Sequence, residues 1–171
     1  MRVAVTGTPG TGKTTATELV ESDLEVMHLN DVIREEGLDE GTDEERDSLL
    51  ADFDAIREWL DERDDDTGLL VDSHLAHHFG ANRVVVLRCH PERLEGRLIE
   101  RGESEPKAAE NAESEALDVI LSEAVAEHGT ESVYEIDTTH RTPADVASDI
   151  EAVIRGERAP SAGTVDYLDY L

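Results

Sequence analysis

Residues Gly7-Thr8-Pro9-Gly10-Thr11-Gly12-Lys13-Thr14 run in the order glycine, any four residues, glycine, lysine, threonine. That order forms a phosphate-cradling loop when it lies between a strand and a helix. An apolar run, Arg2 to Thr6, precedes it here and a helical segment follows. The glycines let successive backbone N–H groups turn inward on a phosphate chain, and the helix beginning near Lys13 adds its positive end. Lys13 is placed to reach β- and γ-phosphates, and Thr14 to ligate Mg²⁺. Gly10, Thr11, Gly12, Lys13, Thr14 and Thr15 are thus the expected nucleotide contacts. A dinucleotide fingerprint is excluded, because Thr15 stands where its third glycine belongs.

A second carboxylate-bearing motif is Leu69-Leu70-Val71-Asp72, an apolar run that delivers Asp72 to the carboxyl edge of a sheet beside the loop. An aspartate there holds Mg²⁺ or its water shell. His74, two residues on, points the same way if strand geometry persists, and either orients a nucleophile or water or caps the next segment. His74, His77 and His78 together suggest a metal cluster, but no further Cys or acidic ligand stands at a known spacing, and a zinc site is set aside.

Phosphoryl transfer needs charge neutralisation and exclusion of water more than covalent chemistry, so arginines around two nucleotides are expected. Arg34 opens a long insertion in Asn30-Asp31-Val32-Ile33-Arg34. Arg97 and Arg101, four residues apart, share one helix face in Arg97-Leu98-Ile99-Glu100-Arg101-Gly102. Neither lysine lies in the Asn-Lys-x-Asp motif that reads guanine, which disfavours a Ras-like GTPase.

Five apolar runs must carry these groups: Arg2 to Thr6, Glu25 to Leu29, Leu69 to Val71, Val84 to Leu87 and Val133 to Ile136. Between them, Leu49, Phe53, Ile56 and Leu60, and again Leu117, Leu121 and Val125, repeat at helical spacing. Pro91, Pro106 and Pro143 mark three helix starts. Strands alternating with helices imply an α/β fold, a parallel sheet covered on both faces. About forty residues separate Leu29 from Leu69 and about forty-five separate Leu87 from Val133, more than a crossover requires. The surplus is where substrate-covering elements belong.

The chain has 171 residues, 42 acidic against 15 basic, for a net charge of −27. One domain is expected at that length. Cys89 is the single cysteine, which excludes an internal disulfide and fits a reducing, cytoplasmic setting. No apolar stretch is long enough to span a membrane, and no leader is visible before the first strand. Only Lys13 and Lys107 are lysines; the other thirteen basic residues are arginines, a skew like that of proteins from salt-accumulating halophiles. Most of the acidity reads as solvent adaptation, since at multimolar salt the Debye length falls below about 3 Å and self-repulsion is screened. Direct contact with nucleic acid is not expected of this balance; a basic protein is the better partner.

Gly7 to Thr15, Asn30 to Asp47, Val71-Asp72-Ser73-His74 and Arg97 to Gly102 together resemble the atypical adenylate kinases related to the coilin-interacting nuclear ATPase, a family with archaeal members. The likeness covers most of residues 1–155 and is specific in its Asp-x-His version of the second nucleotide motif. It implies the P-loop nucleoside monophosphate kinase fold, with a five-stranded parallel sheet in the order 2-3-1-4-5. It further implies an AMP-binding arm at about 30–67, a short lid at about 102–107, and transfer of a phosphoryl group from ATP to AMP with Mg²⁺. An accompanying ATPase activity and a part in small ribosomal subunit maturation, through a basic small-subunit ribosomal protein, come with the family. By motif, Arg34 holds the AMP phosphate, Arg97 and Arg101 the ATP side and the transferring phosphoryl, and Asp72 and His74 serve Mg²⁺ and the positioning of water or substrate. The loop from Thr138 to Pro143 corresponds to the one whose backbone meets the adenine edge. Ordinary adenylate kinases carry further arginines after the lid, whereas Ala108 to Val125 has none. The acidic tail, 156–171, has no counterpart and is expected to be weakly ordered or docked late on the core. Two other readings stay open: an ATPase assembly factor with little kinase activity, and a small-metabolite kinase of the shikimate or gluconate type.

Overall fold

The computed structural model describes residues 1–43, 48–63 and 67–171. Residues 44–47, which end the second quoted motif, and 64–66, within the expected arm, lie outside the described residues. The five apolar runs form one parallel sheet: β1 (Arg2–Thr6), β2 (Glu25–His28), β5 (Leu69–Asp72), β6 (Arg83–Arg88) and β7 (Val133–Asp137). They lie in the order β2-β5-β1-β6-β7, with β1 paired in parallel to β5 and β6. Counted over these five strands alone, this is the order 2-3-1-4-5.

Residues alternate across a strand, and the core divides accordingly. Ala4, Leu69, Val71, Val84 and Val86 face one layer, packed on Ile33 of α2 (Leu29–Glu36), Ile56 and Leu60 of α3 (Phe53–Arg63), and Leu121 and Ala124 of α6 (Val119–His128). Val3, Val5, Leu70, Val85 and Leu87 face the other, against Ala16 of α1 (Lys13–Thr17) and Val146, Ile150 and Val153 of α7 (Pro143–Ile154). A smaller cluster, Cys89, Leu94, Leu98 and Ala108, joins α4 (Pro91–Glu100) to α5 (Glu105–Ala116). No helix among the described residues is long and apolar enough to cross a membrane.

Three local features depart from the sequence expectation. Leu49 belongs to a two-stranded antiparallel hairpin, β3 (Asp39–Asp43) with β4 (Ser48–Ala51), and not to the helix of Ile56 and Leu60. The run through Leu117, Leu121 and Val125 is broken, because Asp118 takes a left-handed conformation (φ 55°) between α5 and α6. Its carboxylate accepts a 2.5 Å hydrogen bond from the buried Arg88, which offsets the cost of that backbone. At the second proline start, Ser104 caps α5 and Glu105 precedes Pro106, one residue earlier than the proline alone indicates.

The segment after α7 lies along β7. Glu135, 2% exposed, accepts from the amides of Gly163 and Thr164 at 2.5 and 2.8 Å, and the Ser161 amide donates to the Val133 carbonyl. Tyr167 is buried, donates to Asp137 Oδ1 at 3.0 Å and meets the His90 ring edge-on at 5.3 Å.

Candidate functional site

The loop between β1 and α1 crosses the carboxyl edge of the sheet at its middle strand. Gly7, Gly10 and Gly12 all have positive φ, the last two at 94° and 91°. A β-carbon on Gly10 would meet Leu94 Cδ1 at 2.9 Å, so α4 packs where only glycine fits. Thr11 closes the turn on itself, its hydroxyl donating to the Thr8 carbonyl at 2.9 Å. Helix α1 is only five residues long, so less dipole stands behind the loop than the sequence suggested; the loop's own amides carry most of the positive character.

Lys13 folds back over the loop and donates to the carbonyls of Gly7 and Thr8 at 2.8 and 3.1 Å. Its pKa is lowered to about 8, mainly by burial, with Asp72 and Glu115 acting in the opposite sense and Arg101 adding to the depression. An ammonium so placed can exchange these two carbonyls for anionic oxygens without moving its backbone.

Asp72 ends β5 and is 4% exposed. Thr17 of α1 donates to its Oδ2 at 2.5 Å, and His28 at the end of β2 meets the same oxygen through Nδ1 at 2.6 Å. Thr17 and His28 were not singled out from the sequence, because each reaches Asp72 only through the sheet order. Thr14, exposed in the first turn of α1, adds a hydroxyl on the same edge. A hydroxyl and a carboxylate are hard oxygen donors that suit Mg²⁺, so the donor chemistry present fits that ion.

His74 is half-buried, and its pKa is lowered to about 4 by burial and then by the charges of Lys13, His77 and His78. It is therefore neutral at pH 7. Ser73 before it donates to Asn30 Oδ1 at 2.7 Å, which ties the start of α2 to the end of β5. His77, in the short 3₁₀ turn Ala76–His78, is 1% exposed and likewise lowered to about 4, by burial first and then by His78.

The arginines separate into three environments. Arg97 reaches back to the loop, its guanidinium donating to the carbonyls of Gly10 (3.4 Å) and Thr138 (3.2 Å). Arg101, exposed at the C-cap of α4, lies close enough to Lys13 for its charge to be felt there. Arg34, in the last turn of α2, is exposed and pairs with Asp31 at 2.6 Å. Between the loop, Arg93 and Arg97, and the segment carrying Thr138, Arg141 and Pro143 lies a cleft of about 320 Å³.

Beneath the loop is a buried network of which sequence reasoning gave no sign. Arg88, 1% exposed at the end of β6, donates to Glu115 Oε1 (3.2 Å), Glu135 Oε2 (2.7 Å) and Asp118 Oδ1. Glu115 also accepts from the Thr8 hydroxyl at 3.2 Å and the Cys89 amide at 2.8 Å. Burial pushes the Glu115 carboxyl above its usual range, while Arg88 and these donors oppose that rise.

The AAA domain family matches residues 3–118, which takes in the loop, Asp72, His74, Arg97 and Arg101. Proteins carrying the name "Putative adenylate kinase" match the chain along its length. One from Natronomonas pharaonis is 68% identical over 171 residues, all of both chains, and one from Halobacterium salinarum is 59% identical over all of both. One from Methanosarcina acetivorans is 42% identical over 163 residues, 90% of this chain and 86% of that one. Among solved structures, a shikimate kinase from Acinetobacter baumannii in complex with shikimate superposes with a TM-score of 0.58 at 17% identity, covering 92% and 94% of the two chains. A sugar kinase from Janibacter gives 0.56 at 21% identity, covering 96% and 98%. Likeness at that identity shows a shared P-loop kinase fold and nothing of the substrate. Two thirds of its residues shared with one haloarchaeal relative, over the full length of both, show that the chain belongs to this archaeal family of nucleotide-kinase type.

Proposed function

We propose that the protein is an adenylate kinase that, with Mg²⁺, moves the γ-phosphoryl group of ATP to AMP and yields two ADP. The observation that carries this reading is the position of Lys13, held on the Gly7 and Thr8 carbonyls at the sheet edge, with Asp72 and Arg101 within electrostatic reach and Arg97 anchored across the loop on Gly10. The bond from the γ-phosphorus to the β,γ-bridging oxygen breaks, and one forms to an AMP phosphate oxygen. Lys13 transfers its donors from the loop carbonyls to the β- and γ-phosphates. Loop amides at Gly10 to Thr15 hold the remaining oxygens. Thr14 and Asp72 would hold Mg²⁺, which when bound neutralises charge on the phosphates. Thr17 and His28 fix the carboxylate that does so.

Arg97 and Arg101 stabilise the transferring phosphoryl from the side of α4, a role worth several kcal/mol when donors are fixed beforehand. His74, neutral at working pH, holds substrate or water by hydrogen bonding and does not contribute charge. The cleft beside Thr138 and Arg141 takes the adenosine of ATP, with the base read by backbone groups. Arg34 exchanges Asp31 for the AMP phosphate as the arm, about 30–67, and the lid, about 102–107, close and exclude water. Residues 1–155 form the kinase domain in this reading, with 156–171 as its tail.

A second reading, an ATPase acting in small-subunit maturation through a basic ribosomal protein, is favoured by one observation. No arginine occurs from Ala108 to Val125, where α5 and most of α6 follow the lid. The resemblance to the coilin-interacting family carries this role, and a net charge of −27 suits a basic partner.

One coupled assay in multimolar KCl with Mg²⁺ and ATP tests both, with AMP, other nucleoside monophosphates and no acceptor run side by side. AMP-specific ADP formation that disappears in Lys13→Ala is the result expected. Hydrolysis indifferent to acceptor moves the weight to the ATPase, and activity retained in Lys13→Ala overturns the site.

A further inference from the structure

We propose that His77, His78 and Glu123 form a binding site for a divalent transition-metal ion of the zinc type, which clips the 3₁₀ turn after β5 to helix α6. The sequence reading set a metal aside for want of an acidic ligand beside the histidines. The fold supplies one from forty-five residues further on: Glu123 Oε2 lies 3.2 Å from His78 Nε2 and 3.6 Å from His77 Nε2. All three ligand atoms fall within 4.8 Å of one another. Tetrahedral zinc, with bonds of about 2.0–2.1 Å, sets its ligand atoms roughly 3.3–3.4 Å apart. The two distances bracket that value.

The second observation is an orphaned atom. His77 is 1% exposed, and its Nε2 is buried with no hydrogen-bond partner, turned toward Glu123 at a separation too long for a hydrogen bond. Its other nitrogen, Nδ1, is 2.7 Å from the Thr6 hydroxyl. With Nδ1 protonated toward Thr6, Nε2 presents a lone pair to a carboxylate, an arrangement of two acceptors that a cation between them resolves. His78 is oriented the same way: Nδ1 is 2.9 Å from Glu127 Oε1, which leaves Nε2 facing Glu123. A histidine whose far nitrogen is held by a carboxylate or hydroxyl has its tautomer fixed for metal binding. The His128 ring caps the backbone of the same turn, with Nε2 2.7 Å from the His77 carbonyl.

Two imidazoles and one carboxylate select zinc, cobalt or iron(II) over Mg²⁺ and Ca²⁺, which prefer all-oxygen sites. Glu123 is 40% exposed and His78 17%, so water has access to the fourth position. The site is separate from the Thr14 and Asp72 oxygens assigned to Mg²⁺. It is linked to the phosphate loop through Thr6, the last residue of β1.

The test uses the full chain, stripped with chelator, in multimolar KCl with millimolar Mg²⁺ to occupy oxygen-only and surface acidic sites. Co²⁺ is titrated and its visible d–d bands recorded, then displaced with Zn²⁺, with calorimetry giving stoichiometry. The expected result is one Co²⁺ per chain with the intense bands of four- or five-coordination, displaced by one Zn²⁺. Glu123→Gln and His78→Ala, both at partly exposed positions, should each weaken binding by about tenfold or more. A weak octahedral spectrum, or binding unchanged in both variants, overturns the site in favour of surface carboxylates. Absence of stoichiometric binding overturns it in favour of His78 bridging Glu123 and Glu127 through its two ring nitrogens alone.

Discussion

Thr8 of the phosphate loop donates its hydroxyl to Glu115 Oε1 of helix α5 at 3.2 Å, across 107 residues of sequence. The same carboxylate holds Arg88 and the Cys89 amide, so the floor of the loop, the end of β6 and helix α5 share one buried anchor. Removing one partner of a buried charged network leaves the others uncompensated, at a cost of about 3–5 kcal/mol. Glu115→Ala is expected to lose stability of that order, because Arg88 keeps a charge with fewer partners. Thr8→Val, which removes a neutral donor, should lose about 1 kcal/mol. Denaturant melts in multimolar KCl measure both. Equal losses in the two variants would mean that the network is not centred on Glu115.

Nucleotide affinity is expected to depend on pH if Lys13 holds the phosphates as proposed. In the free protein its pKa is about 8, set by burial against the opposing charges of Asp72 and Glu115. Phosphate oxygens favour the ammonium, so the bound-state pKa is higher and binding takes up a proton above pH 8. Affinity is therefore fully present below about pH 7, and falls as pH rises through 8, by at most about tenfold per unit. Calorimetric titration of ATP without divalent metal, from pH 6 to 9.5, reads this directly. Lys13→Met should bind more weakly with a flat profile; a flat profile in the unaltered protein would show that Lys13 is not the group.

The distance over which residues must cooperate decided what was legible in the sequence. The Gly7 to Thr14 loop is contiguous, and the proposal for its chemistry rests on eight neighbouring residues. The sheet strands are also local: Val84-Val85-Val86-Leu87 is apolar at every position because both faces are covered. Hairpin β3–β4 was not legible, since Asp39-Glu40-Gly41-Thr42-Asp43 has no apolar alternation to announce a strand. Glu115, Thr17, His28 and Glu123 were equally hidden. Each acts on a residue brought to it by the sheet order, and as a single carboxylate, hydroxyl or imidazole in an acidic chain it looks like any surface group. The break at Asp118 has a related cause: a buried arginine thirty residues away overrides helical periodicity.

The tail should contribute to stability through Tyr167. Its hydroxyl donates to Asp137 Oδ1 at 3.0 Å and lies 3.5 Å from Thr139 Oγ1, while the ring is buried near Arg88 at 5.3 Å. Tyr167→Phe keeps the ring and loses the hydrogen bond, for an expected loss of about 1 kcal/mol. Tyr167→Ala also loses the buried ring, for about 3–5 kcal/mol. Thermal melts of the two variants separate the terms, and an unchanged melt in Tyr167→Ala would mean that the tail does not hold to β7 in solution.

Gly10 and Gly12 allow backbone strain to be separated from steric exclusion within one loop. Both have φ near +90°, where a side chain costs about 1–3 kcal/mol. They differ in what a β-carbon would meet. At Gly12 nothing lies within 4 Å, whereas at Gly10 Leu94 Cδ1 lies at 2.9 Å and Leu98 Cδ2 at 3.0 Å. Gly12→Ala is therefore expected to show the backbone cost alone. Gly10→Ala should add about 1–3 kcal/mol from overpacking against α4. Because α4 also carries Arg97, whose guanidinium rests on the Gly10 carbonyl, pushing Leu94 and Leu98 outward should draw that arginine off the loop. Turnover should thus fall further in Gly10→Ala than its stability loss explains at a temperature where both variants are folded. Equal stability and turnover in the two variants would show that α4 yields freely, and that its packing against Gly10 does not position Arg97.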